Sequence, residues 1–418
     1  MQTSARSKFP PIIIIGALFF IFGFVTWLNG ILIPYLQISC ELSNFQAMFV
    51  TFMFYISYFF MALPSAWILK KTGYKNGMMI GLFIMALGTI LFIPAAISRT
   101  YAVFLTGLFI MGTGLALLQT AANPYVTIVG PIESAAKRIS IMGICNKLAG
   151  AIAPLILAYY ILNDADALTK SLELMGDKEK IIALNELARR VIGPYMVMTV
   201  ALIAMGIGVK LSPLPQIEPE ENESPAANHH DRSTVFAYPN LILGVVALFF
   251  YVGVEVIAGD TIIRHGSAMG ISMNVAQTLT SVTMIFMTVG YIIGIITVPK
   301  YISQEGILKI SAFSGIVFAL AAILLKGEIS VIFIALLGLS NAMVWPAIWP
   351  LALKGLGRHT NTGSAMLIMA ILGGALMPLL WGKLFDVYSS QTAYWILVPS
   401  YLFILFYAVR GHKIKSEH

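Results

Sequence analysis

Charged or turn-rich breaks divide this chain into twelve apolar segments, most of them separated by very short loops. Each segment is long enough to cross a lipid bilayer as a helix, which takes about 20 residues. The segments begin near Pro10, Asn44, Asn76, Tyr101, Arg138, Arg190, Tyr238, Ile271, Gly306, Ser330, Asn361 and Thr392. Hydrophobic residues make up 58% of the 418 residues and charged residues 11%, whereas soluble domains carry roughly 25% charged residues. The sequence therefore predicts an all-α integral membrane protein with twelve transmembrane helices.

Two polar regions interrupt the apolar segments. Residues 163–190 are charged, with apolar residues at helical spacing, which predicts a short amphipathic helix outside the membrane. Residues 212–239 are rich in Pro, Glu and Asn and include the pair His229–His230, which is typical of a solvated linker. We therefore predict a six-helix half over residues 1–211, a linker over 212–237 and a second six-helix half over 238–418.

The distribution of Lys and Arg predicts the orientation in the membrane. Most of the 26 basic residues fall in loops and tails on the side of the N-terminus, and few fall on the opposite side outside the long polar loop. The positive-inside rule then places both termini and the linker in the cytoplasm. The net charge of +7 follows from this bias and predicts no nucleic-acid partner, because no basic patch with interleaved aromatic residues stands clear of the spans. Cys40 and Cys145 lie on separate segments and form no metal or redox spacing, and no cofactor is predicted.

An internal repeat supports two related halves. The stretch from Ser140, SIMGICNKLAGAIAPL, aligns with SAMLIMAILGGALMPL from Ser364, an offset of 224 positions. Two parallel six-helix halves place a substrate site near the membrane midplane between them. Asn146 and Lys147 correspond to Ala370 and Ile371 in the second copy, so one half alone carries this polar pair.

Polar residues within the apolar segments are the candidate site residues, because lipid penalises unpaired polar groups. The stretch LLQTAANPYVTIVGP places Gln119 and Asn123 in such a segment, beside Pro124, which predicts a loosened helix facing protein or water. Lys147 lies about nine residues into the fifth segment, too deep to reach the surface easily. Burying its ammonium costs several kcal/mol unless the group is paired or deprotonated. We predict a role for Lys147 in substrate or ion handling, with a fixed ion pair between helices as the alternative.

Two carboxylates lie in the seventh segment and are predicted to couple transport to an ion. Glu255 and Asp260 are five residues apart, about 140° around a helix, and need not share a face. Asp260 is near the outer end, where simple solvation is the alternative, and Glu255 is deeper. Either carboxylate is a candidate partner for Lys147.

Aromatic and amide groups complete the candidate site. Trp345 and Trp349 are four residues apart and share a helix face, next to Pro346 and Pro350, which are predicted to break the helix. Sugars present apolar C–H faces as well as hydroxyls, so aromatic rings beside amides and carboxylates suit them. For any one Trp, packing or an interface belt is the alternative. The same inventory includes Trp27, Asn29, Gln277 and Asn341.

These residues also resemble a known family. The inner-loop string KKTGYKNG over residues 70–77 is similar to a degraded form of the motif of the major facilitator superfamily. More narrowly, FGFVTWLNGILIPYL over residues 22–36, LLQTAANPYVTIVGP and KRISIMGICNKLAG resemble the fucose/glucose/galactose:cation symporter family over essentially the whole chain. The resemblance implies sugar transport by alternating access in a functional monomer, driven by a co-transported cation, H⁺ or Na⁺.

The chain departs from this family at positions that the resemblance links to coupling. Fucose-type members carry an acidic residue where this chain has Gly30, and Glu where it has Gln119. Asn146 matches a sugar-contacting amide, whereas Lys147 replaces a small neutral residue. The resemblance thus implies retained hexose binding and coupling that uses Glu255, Asp260 or a Na⁺ site, or that has been lost.

Our leading hypothesis is therefore an inner-membrane importer of a neutral, glucose-, galactose- or fucose-like hexose together with a cation. An uncoupled sugar facilitator, a sugar sensor and an efflux transporter for amphipathic compounds are the alternatives. Neither a Walker motif nor a Ser/His/Asp set is present in the sequence, so we do not predict an enzyme.

Overall fold

The computed structural model describes residues 11–128, 135–162, 164–172, 174–215 and 234–414, and regular structure in these ranges is entirely helical. The helices before residue 216, which we call the first half, are α1 Pro11–Trp27, α2 Asn29–Ser39, α3 Asn44–Ala47, α4 Phe49–Ile90, α5 Phe92–Ser98, α6 Tyr101–Ile128, α7 Ala135–Ile161, α8 Ala165–Leu172, α9 Asp177–Arg189 and α10 Ile192–Leu211. The second half holds α11 Pro239–Asp260, α12 Ile262–Ala268, α13 Met273–Ala276, α14 Leu279–Thr297, α15 Gln304–Leu324, α16 Glu328–Asn341, α17 Val344–Leu353, α18 Thr360–Met369, α19 Gly373–Val387, α20 Ser390–Ala393 and α21 Leu397–Val409.

The helices account for the twelve predicted passes. Eleven stretches of the described residues are long and apolar enough to cross a membrane, and one of them, Asn44–Ser98, contains 55 residues. A single pass takes about 20 residues, so this stretch holds two. Within it, Gly73 has a φ of 72°, a left-handed conformation that glycine adopts without steric cost. The chain therefore turns at Gly73 between the second and third passes.

Several passes are built from two helices, and the breaks differ from the sequence expectation. The tenth pass breaks between Asn341 and Val344. Pro346 and Pro350 therefore lie within α17 rather than at the break. Pro346 is in the first turn, where a proline is tolerated, whereas Pro350 is further inside the helix. α6 continues through Pro124 to Ile128, so its helical assignment does not end at that proline.

The first and seventh passes break at related places. α1 gives way to α2 at Leu28, and α11 gives way to α12 at Thr261. Both breaks lie beside polar residues that the sequence singled out, Asn29 and Asp260. The irregular backbone in each half thus occurs close to buried polar groups.

The polar region after the fifth pass forms two short helices, α8 and α9, rather than the single helix expected. α9 packs on the end of the first pass, where the hydroxyl of Tyr35 donates to the carbonyl of Ala188 at 2.7 Å. Most of the predicted linker, including His229 and His230, lies outside the described residues, so the limits of the two halves stay a prediction.

The two halves meet along two pairs of passes. α7, the fifth pass, packs against α14, and α19, the eleventh pass, packs against α4 and α3. α2 also contacts α11 and α12. The face that contains α3, α8, α9 and α13 is the one that the positive-inside rule predicts to be outside, and we call it the outer face.

Candidate functional site

An ion pair joins the two halves near the middle of their passes. Nζ of Lys147 on α7 lies 2.7 Å from Oε1 of Glu255 on α11, and the two side chains are only 10% and 12% exposed. The sequence left open which carboxylate pairs with Lys147, and the structure selects Glu255. Because both charges are largely removed from water, each depends on the other for stabilisation.

The indole ring of Trp27 packs next to this ion pair. Nζ of Lys147 lies 4.8 Å from the centre of the indole ring, within cation–π range. The ring lies in a slot between Gly150 of α7 and Gly259 of α11, where an added Cβ at either glycine would overlap it. Trp27 is 2% exposed, and its Nε1 has no hydrogen-bond partner among the described residues. We call Trp27, Lys147 and Glu255 the central cluster.

Asp260 lies in a second polar contact between the halves. Its Oδ2 accepts a hydrogen bond from the hydroxyl of Thr51 on α4 at 3.0 Å. The residue is completely buried, and its Oδ1 has no partner in the described part of the chain. The solvated alternative considered for Asp260 is therefore wrong, because the first half covers the end of α11.

Three aromatic side chains of the second half, Tyr251, Trp345 and Trp349, contact one another near the central cluster. The rings of Trp345 and Trp349 stack with centroids 5.3 Å apart, so the two residues share a face as their spacing predicts. Trp345 also contacts Tyr251, with centroids 6.3 Å apart. Tyr251 precedes Glu255 by four residues on α11 and therefore lies on the same side of that helix.

Two of the predicted amides are buried with free donors. Asn29 and Asn341 are each 1% exposed, and neither Nδ2 has a partner within the described ranges. Oδ1 of Asn341 accepts a hydrogen bond from the hydroxyl of Tyr401 at 2.7 Å, which fixes that amide. Buried amide donors of this kind are suited to the hydroxyl groups of a ligand.

The other predicted amides are more dispersed. Asn146 is half-buried beside Lys147, and its Nδ2 donates to the carbonyl of Phe19 at 3.4 Å. Gln119 is half-buried and Asn123 is exposed, towards the end of α6 that is predicted to face inside. Gln277 caps α13 at the outer face and donates to the carbonyl of Asn274 at 3.2 Å. Gln277 therefore lies outside the region of the central cluster.

Thr51 and Tyr251 also belong to this region, although neither was predicted from the sequence. The four-residue spacing between Tyr251 and Glu255 is a signal that could have identified Tyr251. Nothing in the apolar segment around Thr51 distinguishes it, because its role depends on a contact with a residue 209 positions away. No group of His, Cys, Asp and Glu side chains that could hold a metal ion occurs among the described residues.

Comparisons with known proteins agree with this architecture. The chain matches the Major Facilitator Superfamily over residues 15–371. It is 35% identical to a protein of Brucella abortus named "Glucose/galactose transporter", over 95% of this chain and 92% of that protein. It is 29% identical to the "L-fucose-proton symporter" of Escherichia coli, over 91% and 88% of the two chains.

A solved structure shows the same fold. The crystal structure of the transporter FucP, described as being in the outward conformation, superposes with a TM-score of 0.74 at 27% identity. The match covers 99% of this chain and all of that one. The chain is thus a multi-pass membrane protein and belongs to the Major Facilitator Superfamily, a family of transporters rather than enzymes.

Proposed function

We propose that this protein imports a neutral hexose together with a cation by alternating access between its two halves. The observation that carries the proposal is the central cluster, in which Trp27, Lys147 and Glu255 bring both halves together at mid-depth. The names of the relatives, a glucose/galactose transporter and a fucose–proton symporter, support a sugar as the substrate. We place the protein in the inner membrane with both termini in the cytoplasm, in agreement with the distribution of basic residues.

The charges of the region favour an uncharged substrate. Lys147 and Glu255 neutralise each other at 2.7 Å, so the central cluster presents no net charge to a ligand. The indole of Trp27 and the stacked pair Trp345–Trp349 offer flat apolar surfaces for the C–H faces of a sugar. The free amide donors of Asn29 and Asn341 suit its hydroxyl oxygens.

The buried carboxylate of Asp260 is the group that we assign to the coupling cation. A carboxylate inside a membrane protein is costly unless it is neutralised by a partner. Thr51 supplies one hydrogen bond, and Oδ1 of Asp260 is free to bind a cation. Because Thr51 and Asp260 belong to different halves, occupation of this carboxylate depends on how the halves are arranged. H⁺ and Na⁺ are both compatible with a single carboxylate oxygen beside a hydroxyl.

An uncoupled facilitator is the second candidate. Gly30 offers no side chain where it meets Thr280 of the second half, and Gln119 on α6 carries no charge. The first and fourth passes therefore provide no carboxylate at these two positions.

Uptake into proteoliposomes distinguishes the two functions. The purified protein is reconstituted, and labelled glucose, galactose and fucose are supplied under an imposed H⁺ gradient, an imposed Na⁺ gradient, or neither. Cation-coupled import predicts that one gradient drives accumulation of a sugar above its external concentration. Equilibration without accumulation identifies a facilitator, and no uptake or exchange of any of the three sugars contradicts the proposal.

A further inference from the structure

A carboxylate of the second half holds a helix start of the first half at the outer face. Asp386 lies near the end of α19, and its Oδ1 accepts the backbone N–H of Asn44 at 3.1 Å. Its Oδ2 accepts the backbone N–H of Phe45 at 2.8 Å, and Nδ2 of Asn44 adds a third bond at 2.8 Å. Arg264 of the second half donates to Oδ1 of Asn44 at 2.9 Å, which reinforces the contact.

A carboxylate of the first half makes the reciprocal contact. Asp166 on α8 accepts the backbone N–H of Met273 at 2.8 Å and that of Asn274 at 3.0 Å. These two residues begin α13 in the second half. As in the first contact, the two oxygens of one carboxylate take the first two N–H groups of a four-residue helix.

The two contacts occupy related positions in the repeat. α3 connects the first and second passes, and α13 connects the seventh and eighth; each is preceded by a serine. The surrounding strings LSNFQAMFVT, residues 42–51, and ISMNVAQTLT, residues 271–280, share Ser43 with Ser272, Ala47 with Ala276 and Thr51 with Thr280. Asp166 follows the fifth pass and Asp386 lies at the end of the eleventh pass, and the internal repeat pairs these two passes. Each half therefore supplies one carboxylate and one helix start.

We propose that Asp166 and Asp386 are positioning residues of the transport cycle, which close the outer face when the site is open to the inside. We call the two contacts the outer clasps. The first N–H groups of a helix lack partners within the helix and favour a negative charge. Donor and acceptor belong to different halves, so each clasp exists only while the outer ends are together and is replaced by water when they separate.

The distribution of the other contacts between the halves supports this assignment. Side-chain hydrogen bonds between the halves occur at the outer face, in the two clasps and in Arg264–Asn44. They also occur at mid-depth, in Thr51–Asp260 and Lys147–Glu255. At the opposite end, Asn123 is exposed. The proposal rests on the proposed function only in that alternating access requires the outer face to open.

Thiol labelling from outside the cell tests the clasps without any sugar. Thr280 is fully buried and lies against Gly30 of the other half, so Thr280→Cys in a Cys40→Ser/Cys145→Ser background reports opening of the outer face. With a membrane-impermeant maleimide, we expect Asp166→Ala or Asp386→Ala to raise the labelling rate of Thr280→Cys about tenfold. Each substitution removes hydrogen bonds to a charged group that stabilise the closed outer face, so the open state becomes more populated. The double variant is expected to raise it further.

Asp164→Ala is the matched control. Asp164 lies two residues before Asp166, just ahead of α8, but its partner Arg190 belongs to the same half. Its loss removes a carboxylate and a charge pair without touching a contact between the halves. We expect the external labelling rate of Thr280→Cys to stay within about twofold of its value with Asp164 intact, since such partly exposed pairs contribute little.

A reporter at the opposite end separates gating from loss of structure. Asn123→Cys is exposed at the predicted inner side, and its labelling in inverted vesicles is expected to fall when the clasps are removed. Reciprocal changes support the proposal, whereas an unchanged external rate in the double variant, or equal increases at both reporters, overturns it. If the alanine variants fail to insert, Asp166→Asn and Asp386→Asn, which keep the shape and remove the charge, are expected to give the same reciprocal changes at smaller size. Because the labelling experiment uses no sugar, its result can be interpreted even if the protein does not transport sugars.

Discussion

Substitution of Gly259 by alanine is expected to shift the protein towards the state that is open to the outside. A Cβ at Gly259 would overlap Cζ3 of Trp27 and lie 3.0 Å from its Cε3 and 3.3 Å from Cε of Met284. Gly259 belongs to the second half and Trp27 to the first, so this overlap disappears when the halves separate. Overpacking of this kind costs about 1–3 kcal/mol, which changes a two-state ratio by about 5- to 150-fold.

Gly150→Ala provides the matched control for this prediction. A Cβ at Gly150 would overlap Cδ1 of the same indole and lie 2.9 Å from its Cγ, but Gly150 and Trp27 both belong to the first half. The overlap therefore persists in every arrangement of the halves. Gly150→Ala is expected to lower thermal stability without a preference between states, and both substitutions share the small gain from alanine in a helix.

The assay is external thiol labelling of Thr280→Cys, combined with the thermal unfolding midpoint in detergent. Gly259→Ala should raise the labelling rate by at least about fivefold, and Gly150→Ala should leave it within about twofold. Equal labelling in both variants would refute the reasoning, because it would mean that Trp27 adjusts locally and that its contact with α11 does not report closure.

Further variants test the ion pair, the carboxylate of Asp260 that we propose for coupling, and the polar region after the fifth pass. Lys147→Met should lower the thermal unfolding midpoint strongly, because loss of one member of a buried ion pair costs about 3–5 kcal/mol. The double variant Lys147→Met/Glu255→Gln should recover most of the lost stability, because neither charge is then left unpaired. If sugar uptake also recovers in the double variant, the ion pair is purely structural. Asp260→Asn should retain sugar exchange and lose gradient-driven accumulation, and undiminished accumulation would contradict its assignment to the cation. The hydrogen bond and charge of Arg190 hold the pKa of Asp164 below its ordinary value. The Asp164–Arg190 contact therefore stabilises the α8–α9 region above about pH 4, and this stabilisation is lost as the pH falls through the lowered pKa of Asp164. On acidification, the resistance of the α8–α9 region to proteolysis should fall more in the native protein than in the Asp164→Asn variant. Equal acid sensitivity of the two proteins would contradict a role for the Asp164–Arg190 contact in stabilising this region.

The membrane class and the number of passes could be predicted because they follow from local composition. An apolar segment of about 20 residues has few alternatives to a transmembrane helix, and this holds without knowledge of its neighbours. The double pass within Asn44–Ser98 was also predictable, because the charged string around Gly73 interrupts the hydropathy. The helix breaks were harder to predict, because the tenth pass breaks ahead of Pro346 rather than at it.

The sequence alone determined which polar residues lie inside the membrane, and Lys147, Glu255 and Asp260 were identified in this way. Their partners were decided only by the tertiary structure, because the paired residues are 108 and 209 positions apart in the sequence. Helical periodicity indicates which face of a helix a side chain is on, but it does not indicate which other helix packs against that face. Asp260 shows the difference: from the sequence it could be solvated, and the packing of the first half over α11 buries it completely. Individual passes follow from the preference of apolar residues for lipid, whereas contacts between the halves depend on how twelve such helices pack together.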